Sequence, residues 1–343
     1  MNLFKLNITT AGFLVLLLCY CTQAFSNGSK ALNSVDVDLF NSATQQPVKV
    51  KFWYQAGVKN CDAKVCLSES QNKQKVAIIS HGAFGSPIEM NWLGYALASQ
   101  GWLVAGIAHY GESWIYGNEN IDPSSVLRFW QRPQEVSFVI DELSNEALFN
   151  HSIETNNILM LGHSSGGFTS LALAGAMVEA GKSKAYCSSK VSAGDKGCSY
   201  GSQQNSKPLS SEKINEIGTL QKAMKDPRIT AVIALDPALG HAANEHSLKR
   251  INVPTLVIGS VNNDFLPFAY HAKYYADNIA TAELIGIEQG AGHFVYINEC
   301  DHNYKAQGVS LCTDREGVDR KAIQKQVLNQ IFAFIYRKGL NHS

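Results

Sequence analysis

The stretch that decides the fold reads Ile158-Leu159-Met160-Leu161-Gly162-His163-Ser164-Ser165-Gly166-Gly167. Its first four residues form a continuous apolar run, which is typical of a buried strand. The small residues that follow predict a closely packed helix over residues 165–180. A sharp strand-to-helix turn projects its turn residue beyond the sheet, provided that positions two before and two after it are nearly free of side chain. Ser164 meets this condition and is the candidate nucleophile, whereas Ser165 lacks a glycine two residues before it.

The same alternation of strand and helix continues on both sides of this stretch. Alternating residues at 35–40 and 48–54 predict an N-terminal antiparallel hairpin. Further apolar strands are predicted at residues 76–80, 103–108, 229–235, 255–259 and 282–287. We expect Ser86-Pro87 to cap the first helix between them, Pro133 to open the second and Ser164 to precede the third. Two more helices are predicted near residues 214–224 and at residues 318–336. This order predicts an α/β fold with a mostly parallel sheet covered on both faces.

Residues 181–226 interrupt this rhythm, because they are rich in serine, lysine and glycine. We interpret them as an insertion within a single domain that spans residues 25–343. Before that domain, an apolar run at residues 11–21 is followed by Thr22-Gln23-Ala24, the layout of a signal peptide cut after Ala24. The run is too short to span a bilayer. The sequence therefore predicts a secreted or periplasmic protein without stable membrane insertion.

A serine nucleophile needs a base that accepts its proton. His293 lies in Gly290-Ala291-Gly292-His293-Phe294, a glycine-flanked loop that follows the last predicted strand. A loop at that position would reach across the strand ends to Ser164. His241, His271 and His302 are rivals, but none of them has this setting.

The acid that would orient the base has two candidates. Asp236 ends the predicted strand at residues 229–235, and Asp264 follows the strand at residues 255–259. Either could hold the imidazole and stabilise its charged form. We expect Asp264 to be the acid, with Asp236 as the alternative; the other one would serve a turn or a helix N-terminus.

Charge that develops on a substrate carbonyl oxygen needs hydrogen-bond donors. His81-Gly82-Ala83-Phe84 follows the predicted strand at residues 76–80 and can present the Ala83 N–H. The Ser165 N–H is the expected second donor.

Together these motifs resemble a bacterial branch of the α/β-hydrolase superfamily known as predicted dienelactone hydrolases. That branch is similar to platelet-activating factor acetylhydrolases and to cutinase-like polyester hydrolases. The resemblance covers roughly residues 35–338 and implies an α/β-hydrolase fold and hydrolysis of carboxylic esters without a cofactor. True dienelactone hydrolases use a cysteine where this chain has Ser164, so their substrate is not implied. The acetylhydrolase pattern implies Asp236 as the acid, and the cutinase pattern falls near Asp264.

Composition and cysteine content exclude several other classes of protein. The chain has 29 basic and 29 acidic residues and no basic run, which disfavours nucleic acid as a partner. After signal cleavage six cysteines remain, and export favours disulfides over a metal site. We expect the sequence-local pairs Cys61–Cys66, Cys187–Cys198 and Cys300–Cys312, and no metal ion.

The sequence thus predicts a serine esterase acting on small or lipid-like esters, with Phe84, Trp114 and Trp130 as candidate pocket walls. An amidase, a peptidase or a polymer-acting lipase or cutinase with the same triad is the first alternative. A secreted binding protein of the same fold is the second. Sequence alone does not indicate the oligomeric state.

Overall fold

The computed structural model describes residues 31–57, 61–68, 73–145, 147–202 and 211–341. The expected signal peptide at residues 1–24 lies outside these residues. Within them, no helix is both long and apolar enough to cross a membrane.

Among the described residues, eight strands form the main sheet, in the spatial order β1-β2-β4-β3-β5-β6-β7-β8. Their bounds are β1 Leu32–Asn41, β2 Gln46–Gln55, β3 Gln74–Ser80, β4 Leu103–Ala108, β5 Ile153–His163, β6 Ile229–Leu235, β7 Thr255–Ser260 and β8 Ala282–Ile287. The first two strands form an antiparallel hairpin that pairs antiparallel with β4, and the other neighbouring pairs are parallel. A short separate ribbon pairs β9 Lys305–Ala306 with β10 Val309–Ser310. The predicted mixed sheet is therefore the observed one.

Helices cover both faces of this sheet. They are α1 Asn91–Ser99, α2 Gln131–Glu142, α3 Ser165–Ala174, α4 Ala180–Cys187, α5 Cys198–Ser202, α6 Ser211–Lys222, α7 Glu245–Leu248, α8 Ala272–Asn278 and α9 Arg320–Arg337. One buried cluster joins the sheet to α2, α3 and α8, and a second joins its other face to α1 and α9. The central strands are apolar where both of their faces are buried, as at residues 158–161 of β5 and 231–235 of β6.

Two helices differ from their predicted form. The helix after Ser164 ends at Ala174 rather than continuing to residue 180, because Gly175 follows with a φ of +120°. That left-handed conformation is the common way to end a helix. Ser86 precedes a short 3₁₀ turn, Pro87–Met90, and makes no side-chain hydrogen bond to the turn. Ser86 therefore does not cap α1 directly.

In the part of the chain that the structure describes, three disulfides join the sequence-local cysteine pairs Cys61–Cys66, Cys187–Cys198 and Cys300–Cys312. The second of them lies within the predicted insertion and links the C-terminus of α4 to the N-terminus of α5. We call residues 180–202, which include α4 and α5, the cap segment.

Candidate active site

Ser164 lies at the turn between β5 and α3 in a backbone conformation that is rare for a residue with a side chain. Its φ is +56° and its ψ is −118°. Such a conformation costs about 1–3 kcal/mol and persists only where surrounding contacts enforce it. Here the Ser164 N–H donates to the Leu235 carbonyl (3.0 Å), and the Ser164 carbonyl accepts from the Phe168 and Ala238 amides. Neighbouring strands and helix thus hold the turn in place.

The glycines around Ser164 are required by close packing of the main chain. A Cβ atom on Gly162 would overlap the carbonyl of Gly166, and one on Gly166 would overlap the carbonyl of Ser80. On Gly167 it would lie 2.9 Å from the Cα of Pro237. The Gly-x-Ser-x-Gly spacing therefore follows from the tightness of the turn itself at Gly162 and from the approach of β3 at Gly166, while the loop after β6 requires Gly167.

His293 begins a short 3₁₀ turn, His293–Tyr296, beyond β8, and its side chain is buried. The ring of His163 lies beside it, with 4.6 Å between the two ring centroids. The His163 Nε2 donates a hydrogen bond to the His293 carbonyl (3.0 Å). Because His163 directly precedes Ser164, these contacts place the histidine loop against the serine turn. In the part of the chain that the structure describes, the His293 Nε2 has no hydrogen-bond partner.

The two candidate aspartates contact different parts of His293. Oδ2 of Asp236 lies 3.5 Å from the ring Nδ1, while its Oδ1 accepts the Ser260 N–H (2.8 Å). Asp264 instead accepts the His293 backbone N–H (2.9 Å) and forms an ion pair with Arg315 (3.1 Å). The imidazole ring therefore faces Asp236, and the carboxylate expected at the ring, that of Asp264, holds the main chain of the loop.

Burial sets the protonation of the His293–Asp236 pair. It lowers the pKa of the His293 imidazole and raises the pKa of the Asp236 carboxyl. The side-chain amide of Asn263 also lies 3.3 Å from the His293 Nδ1. A neutral imidazole at neutral pH is the form that can accept a proton.

The loop after β3 runs beside the serine turn, since β3 and β5 are parallel neighbours. A Cβ atom on Gly82 would lie 3.4 Å from the Ser164 Cβ. Neither the Ala83 N–H nor the Ser165 N–H donates a hydrogen bond to an acceptor among the described residues. Both expected donors are therefore free to bind an oxyanion.

A buried arginine, which the sequence analysis missed, holds this loop. Arg132 donates to the carbonyls of His81 (2.7 Å) and Gly82 (3.2 Å) and forms a two-point ion pair with Glu112. In a trans peptide the carbonyl and the following N–H point in opposite directions. By fixing the Gly82 carbonyl, Arg132 also fixes the direction of the Ala83 N–H. A single arginine at the start of α2 has no local pattern that could have revealed this role.

The cap segment contacts the aromatic residues that surround the site. Tyr200 lies 6.0 Å from Phe84 and 6.3 Å from Phe265, measured between ring centroids. Phe265 is stacked on His293 at 5.1 Å, and its carbonyl accepts the Lys196 N–H (2.8 Å). The described part of the insertion therefore covers the histidine side of the site.

The other residues that the sequence singled out have different surroundings. Trp130 packs against Phe129 next to the core, and Trp114 is exposed while its indole donates to Glu89. His302 is an exposed neighbour of Asp301. His241 and His271 lie together beside Asp195, and the charges of His271 and Asp195 are near enough to affect the pKa of His293.

One similar solved structure is that of a ferulic acid esterase from Streptomyces cinnamoneus, with a TM-score of 0.52. The two sequences are 16% identical, and the match covers 92% of each chain. No protein-family model and no curated protein matches the sequence. The sheet order and the structural likeness confirm the α/β-hydrolase fold.

Proposed function

We propose that this chain of α/β-hydrolase fold is a serine hydrolase that cleaves carboxylic esters. The observation that carries the proposal is the strained turn at Ser164, which packs through His163 against the loop of the buried His293. Two main-chain amides next to this turn have no acceptor among the described residues. Backbone strain at a serine on a strand-to-helix turn has no structural benefit of its own, and it persists at sites where function requires the geometry. The ester bond is favoured because the structural relative is named as an esterase.

In the proposed reaction, the Ser164 Oγ attacks the ester carbonyl carbon while the His293 Nε2 takes the hydroxyl proton. The Ala83 and Ser165 amides bind the negative oxygen of the tetrahedral intermediate. The intermediate collapses to an acyl-enzyme when the C–O bond breaks, and His293 gives its proton to the leaving alcohol. A water molecule, deprotonated by His293, then attacks the acyl-enzyme and releases the carboxylic acid and Ser164.

We propose Asp236 as the acid of this triad in place of Asp264. Only a carboxylate that faces the ring can fix the imidazole tautomer and stabilise the cation formed during attack. The contact between Asp236 Oδ2 and His293 Nδ1 supports this role. The contacts of Asp264 support a positioning role for the loop that carries His293.

The aromatic residues near His293 favour an ester with an apolar acyl group, either small and aromatic or lipid-like. Phe84 and Phe265 flank the site, and Tyr200 contacts both of them. Apolar walls with few polar groups are typical of small-molecule sites. Three disulfides favour an oxidising compartment, so we propose export of the enzyme, in agreement with the leader predicted from the sequence.

The test uses the oxidised chain and two serine variants. We expect wild-type protein to be labelled by a fluorophosphonate probe and to hydrolyse p-nitrophenyl esters. Replacing Ser164 with alanine should abolish labelling and reduce turnover by about 10⁴-fold or more. The matched control is Ser165→Ala, which keeps the backbone amide at that position and should keep both labelling and turnover.

Labelling of the Ser164→Ala protein, or its loss in Ser165→Ala alone, would show that the nucleophile is misassigned. A wild-type chain that is never labelled would instead indicate a binding protein. A panel of aryl and alkyl esters of increasing acyl length, with matching amides, separates an esterase from an amidase and identifies the acyl group preferred.

A further inference from the structure

Three buried side chains that the proposed reaction does not use converge outside the triad. Asp195 belongs to the cap segment, His241 follows β6, and His271 immediately precedes α8. Each is less than a tenth exposed. They are separated by 46 and 30 residues along the chain, so no local motif marks them. Buried ionisable groups are expensive unless they are paired or bind a metal ion.

The distances within the cluster are not those of a satisfied hydrogen-bond network. Oδ2 of Asp195 lies 2.7 Å from the His271 Nε2, a normal hydrogen bond. The His241 Nδ1 lies 3.7 Å from the same oxygen, which is too far for a second bond. The His241 Nδ1 also lies 3.4 Å from the His271 Nε2, but that nitrogen already forms its hydrogen bond with the Asp195 carboxylate. The His241 Nδ1 thus faces two groups and forms a good hydrogen bond with neither of them.

A metal ion would accommodate all three donors at once. With bonds of 2.0–2.1 Å, the ligands of a tetrahedral zinc ion are about 3.3–3.4 Å apart. Two of the three distances, 3.4 and 3.7 Å, lie near this value. The third distance, 2.7 Å between Asp195 Oδ2 and His271 Nε2, would lengthen through rotation of the Asp195 carboxylate once the ion replaced the hydrogen-bonded proton.

Neighbouring groups hold two of the three metal-binding side chains, Asp195 and His241, in the orientation that a metal ion needs. The second carboxylate oxygen of Asp195 accepts the Gly197 N–H (2.8 Å). The Nε2 of His241 lies 3.3 Å from the Ser183 hydroxyl, and the Tyr186 ring stacks on this imidazole at 4.4 Å. Partners of this kind fix the ring orientation of metal-binding histidines and exclude solvent.

We propose that Asp195, His241 and His271 bind one divalent transition-metal ion, with Zn²⁺ as the favoured ion and water as a fourth ligand. Two imidazoles and one carboxylate suit zinc, whereas calcium and magnesium prefer oxygen ligands alone. This proposal departs from the sequence-based expectation of no metal ion.

The ion would attach the cap segment to the body of the protein. Asp195 lies between α4 and α5, and the two histidines belong to loops at the ends of β6 and β7. The main-chain N–H of the neighbouring Lys196 donates a hydrogen bond to the carbonyl of Phe265, and the Phe265 ring is stacked on His293. Zinc would therefore stabilise the part of the cap segment that lies nearest to the active site, without contacting the ester.

The test measures metal binding directly and is independent of ester hydrolysis. The oxidised chain is purified without reductant, because reduced Cys187 and Cys198 could form a competing zinc site with His241. We expect about one zinc per chain by elemental analysis, and unfolding at a lower temperature after removal of the ion by a chelator. Restoring Zn²⁺, but not Ca²⁺, should return the unfolding temperature to its original value.

Asp195→Asn and His241→Gln should each weaken zinc binding by at least about tenfold in competition with a fluorescent chelator. The matched control is the exposed His302→Ala, which should bind zinc like the wild type. Equal zinc content in wild type and both variants would overturn the proposal, as would wild-type protein that binds no zinc. If both variants fail to fold, wild-type protein loaded with one equivalent of Co²⁺ decides: tetrahedral visible absorption supports the site, and its absence rejects it.

Discussion

At the scale of single residues, the backbone of Ser164 and that of Asp236 share an unusual feature. Both have a positive φ, +56° for Ser164 and +40° for Asp236. Both follow central parallel strands, β5 and β6, which are paired up to His163 and Leu235. The strain occurs where two strand ends present side chains to the same edge of the sheet. Such a coincidence supports a shared function for the two residues.

The two aspartates provide the first residue-scale prediction. Asp236→Asn should reduce turnover by about 10³–10⁴-fold, because an amide cannot stabilise the imidazolium as a carboxylate does. Asp264→Asn retains an oxygen that accepts the His293 N–H, so turnover should fall by less than about tenfold. Turnover is measured on a p-nitrophenyl ester, and thermal unfolding of each variant confirms that it is folded.

The two variants control for each other, because both changes are isosteric and both residues contact His293. A large loss in Asp264→Asn with near-normal activity in Asp236→Asn would assign the acid to Asp264. Small losses in both would show that neither carboxylate assists the histidine.

At the scale of elements, one large side chain packs between the hairpin, the sheet and α1. Trp53 of β2 is fully buried, and its indole N–H donates to Asn91 (3.0 Å). The ring lies against two glycines, Gly94 in α1 and Gly106 in β4. Absence of side chains at these two positions allows helix and sheet to approach around the indole.

At Gly94 the usual preference for alanine over glycine inside a helix is therefore reversed. In an ordinary helix interior, alanine is about 1 kcal/mol more favourable than glycine. Here a Cβ atom would lie 2.5–2.8 Å from three ring atoms of Trp53. We expect Gly94→Ala to lower the free energy of unfolding by about 1–3 kcal/mol through overpacking. Chemical denaturation with tryptophan fluorescence measures the change.

Gly181 in α4 is the matched control, since a Cβ atom there would meet no atom within 4 Å. Gly181→Ala should be neutral or stabilising by up to about 1 kcal/mol. Equal stabilities of the two variants would contradict the role assigned to Trp53.

At the scale of the whole molecule, buried ionisable groups make stability depend on pH. Among the described residues, burial lowers the pKa of five imidazoles, those of His81, His109, His163, His241 and His293. The folded protein keeps these rings neutral, whereas the unfolded chain protonates them below pH about 6.5. Acidification below that value therefore favours the unfolded chain.

Three buried carboxyls act in the opposite direction. Burial raises the pKa of Glu89 to about 7, that of Glu135 to about 8 and that of Asp236. These groups hold protons in the fold that the unfolded chain releases above pH about 4.5. Between pH 6 and 5 the five imidazoles outnumber the three carboxyls by two, and the free energy of unfolding should fall by about 2 kcal/mol per pH unit.

Calorimetric unfolding from pH 8 to pH 4.5, with chelator present, checks this prediction. The unfolding temperature should reach its maximum near pH 6–7 and decline on the acid side. Because buried groups are weakly screened, the decline should persist at high salt. A temperature that rises steadily between pH 6 and 5 would contradict the assigned directions.

The sequence by itself determined the features that depend on local pattern. Apolar strands alternating with helices predicted the sheet covered on both faces, since burial on both faces requires apolar residues throughout. Gly162 and Gly166 marked the turn at Ser164, because only glycine fits beside so close a main chain. Local cysteine spacing suggested the three disulfides that the structure contains.

Only the tertiary structure decided which distant side chains meet. Asp236 and Asp264 both follow strands at the same edge, and the sequence could not distinguish the one whose carboxylate faces the His293 ring. Arg132 reaches the loop after β3 from another element, and Asp195 lies near His241 although it belongs to the cap segment. These contacts depend on the register and twist of the sheet and on the path of long loops, which no local spacing encodes.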